Sequence, residues 1–445
     1  MKQSMEKGGC RMEELELEQN EQLLEQRRLR RLEQKRRRKM QQRMVLGLLA
    51  LIVVLALVLI VRGCRAKPAP TPVEPSVPEE PVTTPTEPEA DSVVQLTAVG
   101  DIMIYDDILA AAQKSEGVYD FSDCFSAVAA YTMGADLTVG NLELNFCGAP
   151  YTGKPDFRAP EALAGTLRDI GFDVLQTANT YSIQNGMTGL SGTISALDAV
   201  GIDHVGTYAT QAERDASGGV LVKTVNGVRI AFIAFTKGVN NLTLPEGSEF
   251  AVDLLYTDYD SDYSKVAQDA IVQTVKNAVA TDADIVIAML HWGSEYDNTL
   301  TDTQKKIETL LLENGVDVIL GSHSHVVGNL TQKTVERGND EANCFVAYSL
   351  GNFFSSQTQK GTMESVLLNL EITKSGKTGQ TSITNISYIP LYLLRQEGEN
   401  GAAQVQVLPI RSAITSGLFD EQAQALTDAI ADLRANTASD YDSGK

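Results

Sequence analysis

The chain runs to 445 residues, room for two or three average domains or for one large α/β domain with tails. Its formal charge of −21 is unevenly spread: residues 1–67 hold 16 Lys/Arg against 8 Asp/Glu, and the rest holds 21 against 50. A body that acidic repels nucleic acid and anionic polymers unless bound cations intervene, so nucleic acid is excluded as a partner.

Residues 1–43 read as a cytoplasmic tail, with 11–43 a charged helix that turns strongly basic from Arg27 onward. Met44–Val61 then offers 18 consecutive residues without a charge or strongly polar group, just enough to span a bilayer, and a transmembrane helix is expected over 44–62. Ten Lys/Arg fall in Arg27–Arg43, against only Arg62, Arg65 and Lys67 beyond the apolar run. The positive-inside rule therefore predicts a cytoplasmic amino terminus and an extracytoplasmic body on a single membrane anchor. A cleaved signal peptide is the rival, set against a 43-residue charged leader and the lack of an Ala-x-Ala site. Val61-Arg62-Gly63-Cys64 makes a poor lipoprotein box because of Arg62. Residues 66–90 alternate Pro with Glu, Thr and Val, the composition of a stiff, solvated spacer.

The folded body is expected over 91–395, with an acidic extension at 396–445. Val93–Gly100 reads as a strand stopping at Asp101, followed by helical patterns over Ile104–Lys114 and Phe121–Met133. Asp136–Gly140 is a second strand, running into Asn141 and Glu143. Residues 145–159 are rich in Gly and Pro and read as a loop. Pro160–Ile170 is a helix opened by proline. Phe172–Ala178 is a strand running into Asn179, Leu190–Val200 a helix, and Ile202–Val205 a short strand with His204 at its end. Leu221–Val225 and Arg229–Phe235 flank an Asn226-Gly227 turn, a hairpin signature. Tyr263–Ala280 is a helix. Ile285–Leu290 and Val316–Leu320 are continuous apolar runs, the pattern of strands buried on both faces, separated by a helical segment that ends in Asn-Gly. Cys344–Leu350, Glu364–Thr373 and Thr381–Leu393 look like antiparallel strands, and Glu421–Arg434 like a helix. The five cysteines (Cys10, Cys64, Cys124, Cys147, Cys344) show no zinc spacing. A Cys124–Cys147 disulfide and lone buried thiols are both open readings, the thiols preferred.

The chain has four histidines, and His291, His323 and His325 follow the two buried runs of this βαβ unit, where parallel sheets place their ligands. Five strand ends thus carry polar or ligating residues: Asp101, Asn141 with Glu143, Asn179, His291, and His323 with His325. A sheet gathers such ends, and carboxylates with imidazoles suit a divalent transition metal (Mn, Fe or Zn), as one ion or two bridged by a carboxylate.

Six motifs in order resemble the bacterial capsule-synthesis proteins of the CapA type, associated with poly-γ-glutamate: Val99-Gly100-Asp101-Ile102-Met103, Gly140-Asn141-Leu142-Glu143, Phe157-Arg158-Ala159-Pro160, His291-Trp292-Gly293-Ser294-Glu295, Gly321-Ser322-His323-Ser324-His325-Val326 and Tyr348-Ser349-Leu350-Gly351-Asn352-Phe353. The resemblance implies an α/β, four-layer calcineurin-like metallophosphatase-type sandwich. It implies Asp101, Glu143, His291, His323 and His325 as metal ligands, with Glu143 bridging. One motif departs. Where the family has Ala-Asn-Asn-His, then Asp and Gly, this chain has Ala178-Asn179-Thr180-Tyr181, then Gln184 and Gly186. Thr180 stands for an expected ligand and Tyr181 for the expected general acid, and a phenol near pKa 10 is a poor proton donor at neutral pH. Arg158 is open between gripping an anionic substrate and a surface ion pair. Trp292 and Glu295 are open between supporting a ligand and simple packing, and Asn352 between a site role and a turn.

Three functions follow: a membrane-anchored factor for capsule or envelope polymer, working as a metal-dependent hydrolase or transferase; a scaffold that keeps the fold without turnover; or a general envelope phosphoesterase. The expected partners are the membrane, membrane subunits of a polymer synthase, and anionic envelope polymer bridged by cations.

Overall fold

The computed structural model describes residues 90–397, 403–437 and 439–443. The basic tail, the apolar run Met44–Val61 and nearly all of the spacer lie outside the described residues, and among those described no helix is long and apolar enough to cross a membrane.

The strands, in chain order, are β1 (Ser92–Ile102), the small hairpin β2 (Gln113–Ser115) and β3 (Val118–Tyr119), β4 (Leu137–Leu142), β5 (Val174–Gln176), β6 (Asp203–Val205), β7 (Leu221–Val225), β8 (Val228–Thr236), β9 (Ile285–His291), β10 (Val318–Ser322), β11 (Leu330–Arg337), β12 (Asp340–Ala347), β13 (Asn352–Phe354), β14 (Glu364–Lys374), β15 (Thr381–Glu397) and β16 (Ala403–Pro409). One sheet has the order β16-β15-β14-β1-β4-β5-β6, with β13 also beside β1, and the other β11-β12-β10-β9-β8-β7. Both are mixed: β1, β4, β5 and β6 run parallel in the first, and β8, β9, β10 and β12 in the second. β16, in the segment read as an acidic extension, forms the edge of the first sheet.

Alternation along the strands explains the layers. Ile285, Ile287 and Met289 of β9 face inward, against Leu96, Ala98 and Val139 of the first sheet. Val286, Ala288 and Leu290 face outward, against Ile271, Val275, Ile307 and Leu311 of the helices Gln268–Val279 and Asp302–Asn314. Val99, Leu142 and Leu175 cover the outer face of the first sheet with Leu163 and Leu167 of the helix Ala162–Asp169. Every residue of β9 and of β10 is buried, as their unbroken apolar runs require. The result is two sheets packed face to face with helices on both outer faces.

Several expectations need correction: the helix read over Ile104–Lys114 spans Asp106–Ala112 and gives way to β2, and Phe121–Met133 holds two short helices, Ser122–Phe125 and Ala129–Gly134. β12 runs parallel to β10 and is antiparallel only to β11, because β11 and β12 extend the second sheet through a Gly338 turn. The strands β14 and β15 are antiparallel as expected, but in the other sheet. The stretch Tyr263–Ala280 is helical only from Gln268, since Tyr263 has a φ of 51° and Asp258 binds the backbone of Ser264 and Lys265 instead. Cys124, Cys147 and Cys344 are free thiols.

Candidate metal centre

The site lies between the two sheets, at the carboxyl ends of β1, β4, β9 and β10. Parity along β9 turns His291 inward after Ile285, Ile287 and Met289, and parity along β4 does the same for Asn141 and Glu143 after Leu137 and Val139. β1 needs a correction to this pattern. Between Ala98 and Asp101 it advances three residues while β4 advances two, from Val139 to Asn141. This one-residue bulge re-aims the strand, so that Asp101 points inward and Ile102 outward. Gly100 permits it: a Cβ there would sit 1.8 Å from the Gly351 carbonyl oxygen. Asp101 N donates to that same oxygen at 3.0 Å.

On β10 the register sets Ser322 opposite His291. Beyond it the chain turns sharply, with φ of 90° at His323 and 59° at His325. Left-handed backbone at two non-glycine residues costs about 1–3 kcal/mol each and is sustained only where the surroundings over-determine it. Here Trp292 N donates to Ser322 O, Tyr296 N to Ser324 O, and Leu350 N to Gly321 O. Gly321 has no room for a side chain, the Tyr348 carbonyl oxygen lying 2.0 Å from where its Cβ would be.

Asp101, Glu143 and His291 each aim one ligand atom into a common space, all within 4.8 Å of one another and all fully buried. His291 Nε2 lies 3.1 Å from Glu143 Oε1, yet neither atom has a hydrogen-bond partner. A buried carboxylate oxygen and imidazole nitrogen left unsatisfied are costly, and a divalent cation between them removes that cost; the residues fit a metal. Asn141 Nδ2 donates to Asp101 Oδ1 at 2.7 Å, and Asn179 Nδ2 to Asn141 Oδ1 at 3.1 Å, so the two asparagines orient the carboxylates. His325 Nδ1 lies 3.0 Å from both Asp101 Oδ2 and Asn352 Oδ1, and Asn352 is fixed by its own bonds to Gln357 and Thr362. Asn352 therefore supports the site. The His323 ring lies 4.5 Å from that of His291 and 6.2 Å from that of His325, tilted to both, with Nδ1 3.5 Å from Thr180 Oγ1.

Electrostatics separate the two histidines. Burial lowers His323 well below its ordinary pKa, helped by the charges of His291, His325 and Lys237, which leaves a neutral imidazole able to ligate. Burial also opposes a charge on His325, but the Asp101 hydrogen bond and the Glu143 charge outweigh it and raise its pKa to about 9. Burial likewise works against the Asp101 carboxylate, yet the His325 hydrogen bond and charge hold its pKa below the ordinary value.

The remaining expected residues fall outside this cluster. The Tyr181 ring lies 4.4 Å from that of Phe157, tilted to it, at the rim, and burial, with the Glu143 and Glu295 charges, pushes its phenol above its ordinary pKa. Glu295 is exposed, and its charge reaches His325 and Tyr181, so it belongs to the mouth and not to packing. Trp292 is buried, stacks on Tyr348 and donates Nε1 to its carbonyl; it is a packing residue. Arg158 makes no ion pair among the described residues: its Nη2 faces the carbonyls of Cys147, Gly148 and Ala149 and closes that loop, while its buried Nε has no hydrogen-bond partner. His204 sits in β6 opposite Leu175, away from the cluster. Sequence reasoning missed Tyr296, whose ring lies 5.9 Å from His325, and Thr236 and Lys237 at the end of β8. Applied to the buried run Arg229–Phe235, the strand-end rule points to the last two.

The family described as bacterial capsule synthesis protein PGA_cap matches residues 95–357. A PGA biosynthesis protein CapA from Bacillus subtilis (strain 168) is 26% identical over 299 residues, covering 67% of this chain and 72% of that one. A capsule biosynthesis protein CapA from Bacillus anthracis is 26% identical over 314 residues, covering 68% of each. Among solved structures, a Mycoplasma pneumoniae phosphatase shares 13% identity at a TM-score of 0.38, covering 67% of this chain and 94% of its own. A 5′-nucleotidase precursor from Thermus thermophilus gives the same identity and TM-score over 77% and 60%. Likeness at that level extends to neither activity nor substrate.

Proposed function

The chain belongs to the bacterial capsule synthesis protein family, and on that premise we propose that it is a membrane-anchored, extracytoplasmic factor for a capsule or envelope polymer of the poly-γ-glutamate type, built around a divalent metal centre in a calcineurin-like sandwich. The observation that carries the metal centre is the buried pair of unsatisfied atoms, Glu143 Oε1 and His291 Nε2, beside Asp101. Asp101, Glu143, His291 and the neutral His323 would hold one or two ions of Mn, Fe or Zn, and His325 would position Asp101. Such a centre supplies Lewis acidity toward a carbonyl or phosphoryl oxygen and a more acidic bound water. The chain's own residues fix the carboxylates through Asn141 and Asn179, keep His323 unprotonated by burial, and line the mouth with aromatic rings.

A specific observation favours a second reading, in which the chain keeps the fold as a scaffold for a synthase complex without catalytic turnover. Tyr181 stands where the family's proton donor is expected, and its phenol is pushed further from neutral-pH proton transfer. One experiment decides between them. Cells whose only copy carries Glu143→Gln with His291→Ala are compared with wild type and with a deletion for cell-associated polymer. Loss in both variant and deletion supports a working metal centre, and loss in the deletion alone supports the scaffold. No change in the deletion rejects the capsule role.

A further inference from the structure

Lys237 follows the last residue of β8 and is tied into the site by its backbone. Thr236 pairs in register with His291, and Lys237 N donates to His291 O at 2.8 Å. Its loop closes on the segment that departs from the family pattern, because Asn240 Nδ2 donates to Gln184 Oε1 at 2.8 Å. The segments 179–184, 237–241, 293–296 and 323–325 therefore meet around the open side of the centre.

The Lys237 ammonium is half-buried, and it makes no ion pair among the described residues. Nζ donates to Gly293 O at 3.0 Å and lies 4.7 Å from the centre of the Tyr263 ring. An ammonium has three donors, so with one on a carbonyl and one toward an aromatic face, the third is free. Glu295 at the mouth favours the ammonium through its charge but forms no ion pair with it, so a partly desolvated cation lacks a direct partner and gains from an anion beside it. Burial holds its pKa below the ordinary value, and its charge is felt at His323. The body around it is strongly acidic, so the metal and the lysine together give an anionic ligand a local positive site. Arg158, a cation the sequence leaves open between such a ligand and a surface ion pair, turns its Nη2 to three backbone carbonyls.

We propose that Lys237 docks the anionic group of the substrate, a carboxylate or phosphate, beside the metal centre. The proposal rests on the metal-centre reading and names the substrate class of that site. Lys237 is a docking residue: it supplies one charge-assisted hydrogen bond and some of the field that draws the anion in.

The test is isothermal titration of the purified full-length chain, loaded with Mn, with inorganic phosphate in one arm and a short γ-linked glutamate oligomer in the other. Metal content is measured on each variant. Lys237→Gln is expected to weaken binding of at least one probe about tenfold, the worth of one charge-assisted hydrogen bond. Lys237→Arg should recover most of it, with metal content unchanged. The arm that responds identifies the source of the anion. Unchanged affinity for both probes in Lys237→Gln, no saturable binding by the loaded wild type, or an equal loss in Arg158→Gln overturns docking by Lys237 alone. A chain that takes up no metal overturns the metal-centre reading, and this inference with it.

Discussion

Gly100→Ala and Gly165→Ala add the same methyl group to two glycines and should move stability in opposite directions. At Gly100 the new Cβ would lie 1.8 Å from Gly351 O, 2.9 Å from Gly351 C and 3.2 Å from Leu350 C. The first contact is with backbone, so no side-chain rotation relieves it, and β1 or the 350–352 turn must shift by more than an ångström. Overpacking of this kind typically costs about 1–3 kcal/mol. A body this large loses roughly 2–3 °C in Tm per kcal/mol, which gives a fall of about 2–9 °C. The shift also stretches the Asp101 N to Gly351 O bond and displaces the Asp101 carboxylate from His325. Metal affinity should therefore fall with stability. At Gly165, inside the helix Ala162–Asp169, a Cβ meets nothing within 4 Å, and alanine should raise stability by about 0.5–1 kcal/mol. Differential scanning fluorimetry of the purified chain, with and without Mn, reads both effects. A Gly100→Ala protein that melts with wild type and holds metal as tightly would refute the bulge as the device that aims Asp101.

Without metal, stability should peak near pH 6.5. Raised to about 9, the His325 pKa gives stability that is full below 6.5 and lost as pH rises through 9, a change on the order of 3 kcal/mol. His323, shifted the other way, stabilises above 6.5 and costs stability as pH falls below it. Urea titrations after chelation, at pH 5, 6.5 and 9, check this, and a flat profile contradicts it. Thr180→Asn with Tyr181→His should raise metal stoichiometry by elemental analysis, and the wild type should show little phosphoesterase turnover. Robust wild-type turnover that survives Tyr181→Phe makes Tyr181 a bystander. Protease added to wall-stripped intact cells should digest the body and leave an amino-terminal stub, and full protection of the body contradicts the proposed topology.

Much of the site was legible because chemistry-bearing residues end buried apolar runs. Ile285–Leu290 and Val316–Leu320 announce fully buried parallel strands, and their ends could only gather at one sheet edge. Position alone did not show which way a side chain points. Simple alternation from Val94, Leu96 and Ala98 sends Asp101 to the outer face, and the bulge reverses that through a contact with Gly351, some 250 residues away in sequence. The left-handed backbone of His323 and His325 is likewise set by hydrogen bonds from Trp292, Tyr296 and Leu350, none of them local. β11 escaped notice because only alternate residues of an edge strand are covered, and without β11 the antiparallel reading of β12 had no hairpin partner and missed its parallel pairing with β10. Arg158, left open between gripping a substrate and a surface ion pair, turns its Nη2 to backbone carbonyls of its own glycine- and proline-rich loop, a contact that position in the sequence does not announce.

The most direct test of the metal centre is elemental analysis of the purified full-length chain after loading with Mn, Fe or Zn, beside Glu143→Gln with His291→Ala and His323→Ala with His325→Ala. The account predicts at least one tightly held divalent ion per wild-type chain and none in either double variant, provided each variant keeps its cooperative melt. A wild-type chain that retains no stoichiometric metal after loading, or a Glu143→Gln/His291→Ala chain that retains it in full, would contradict the assignment.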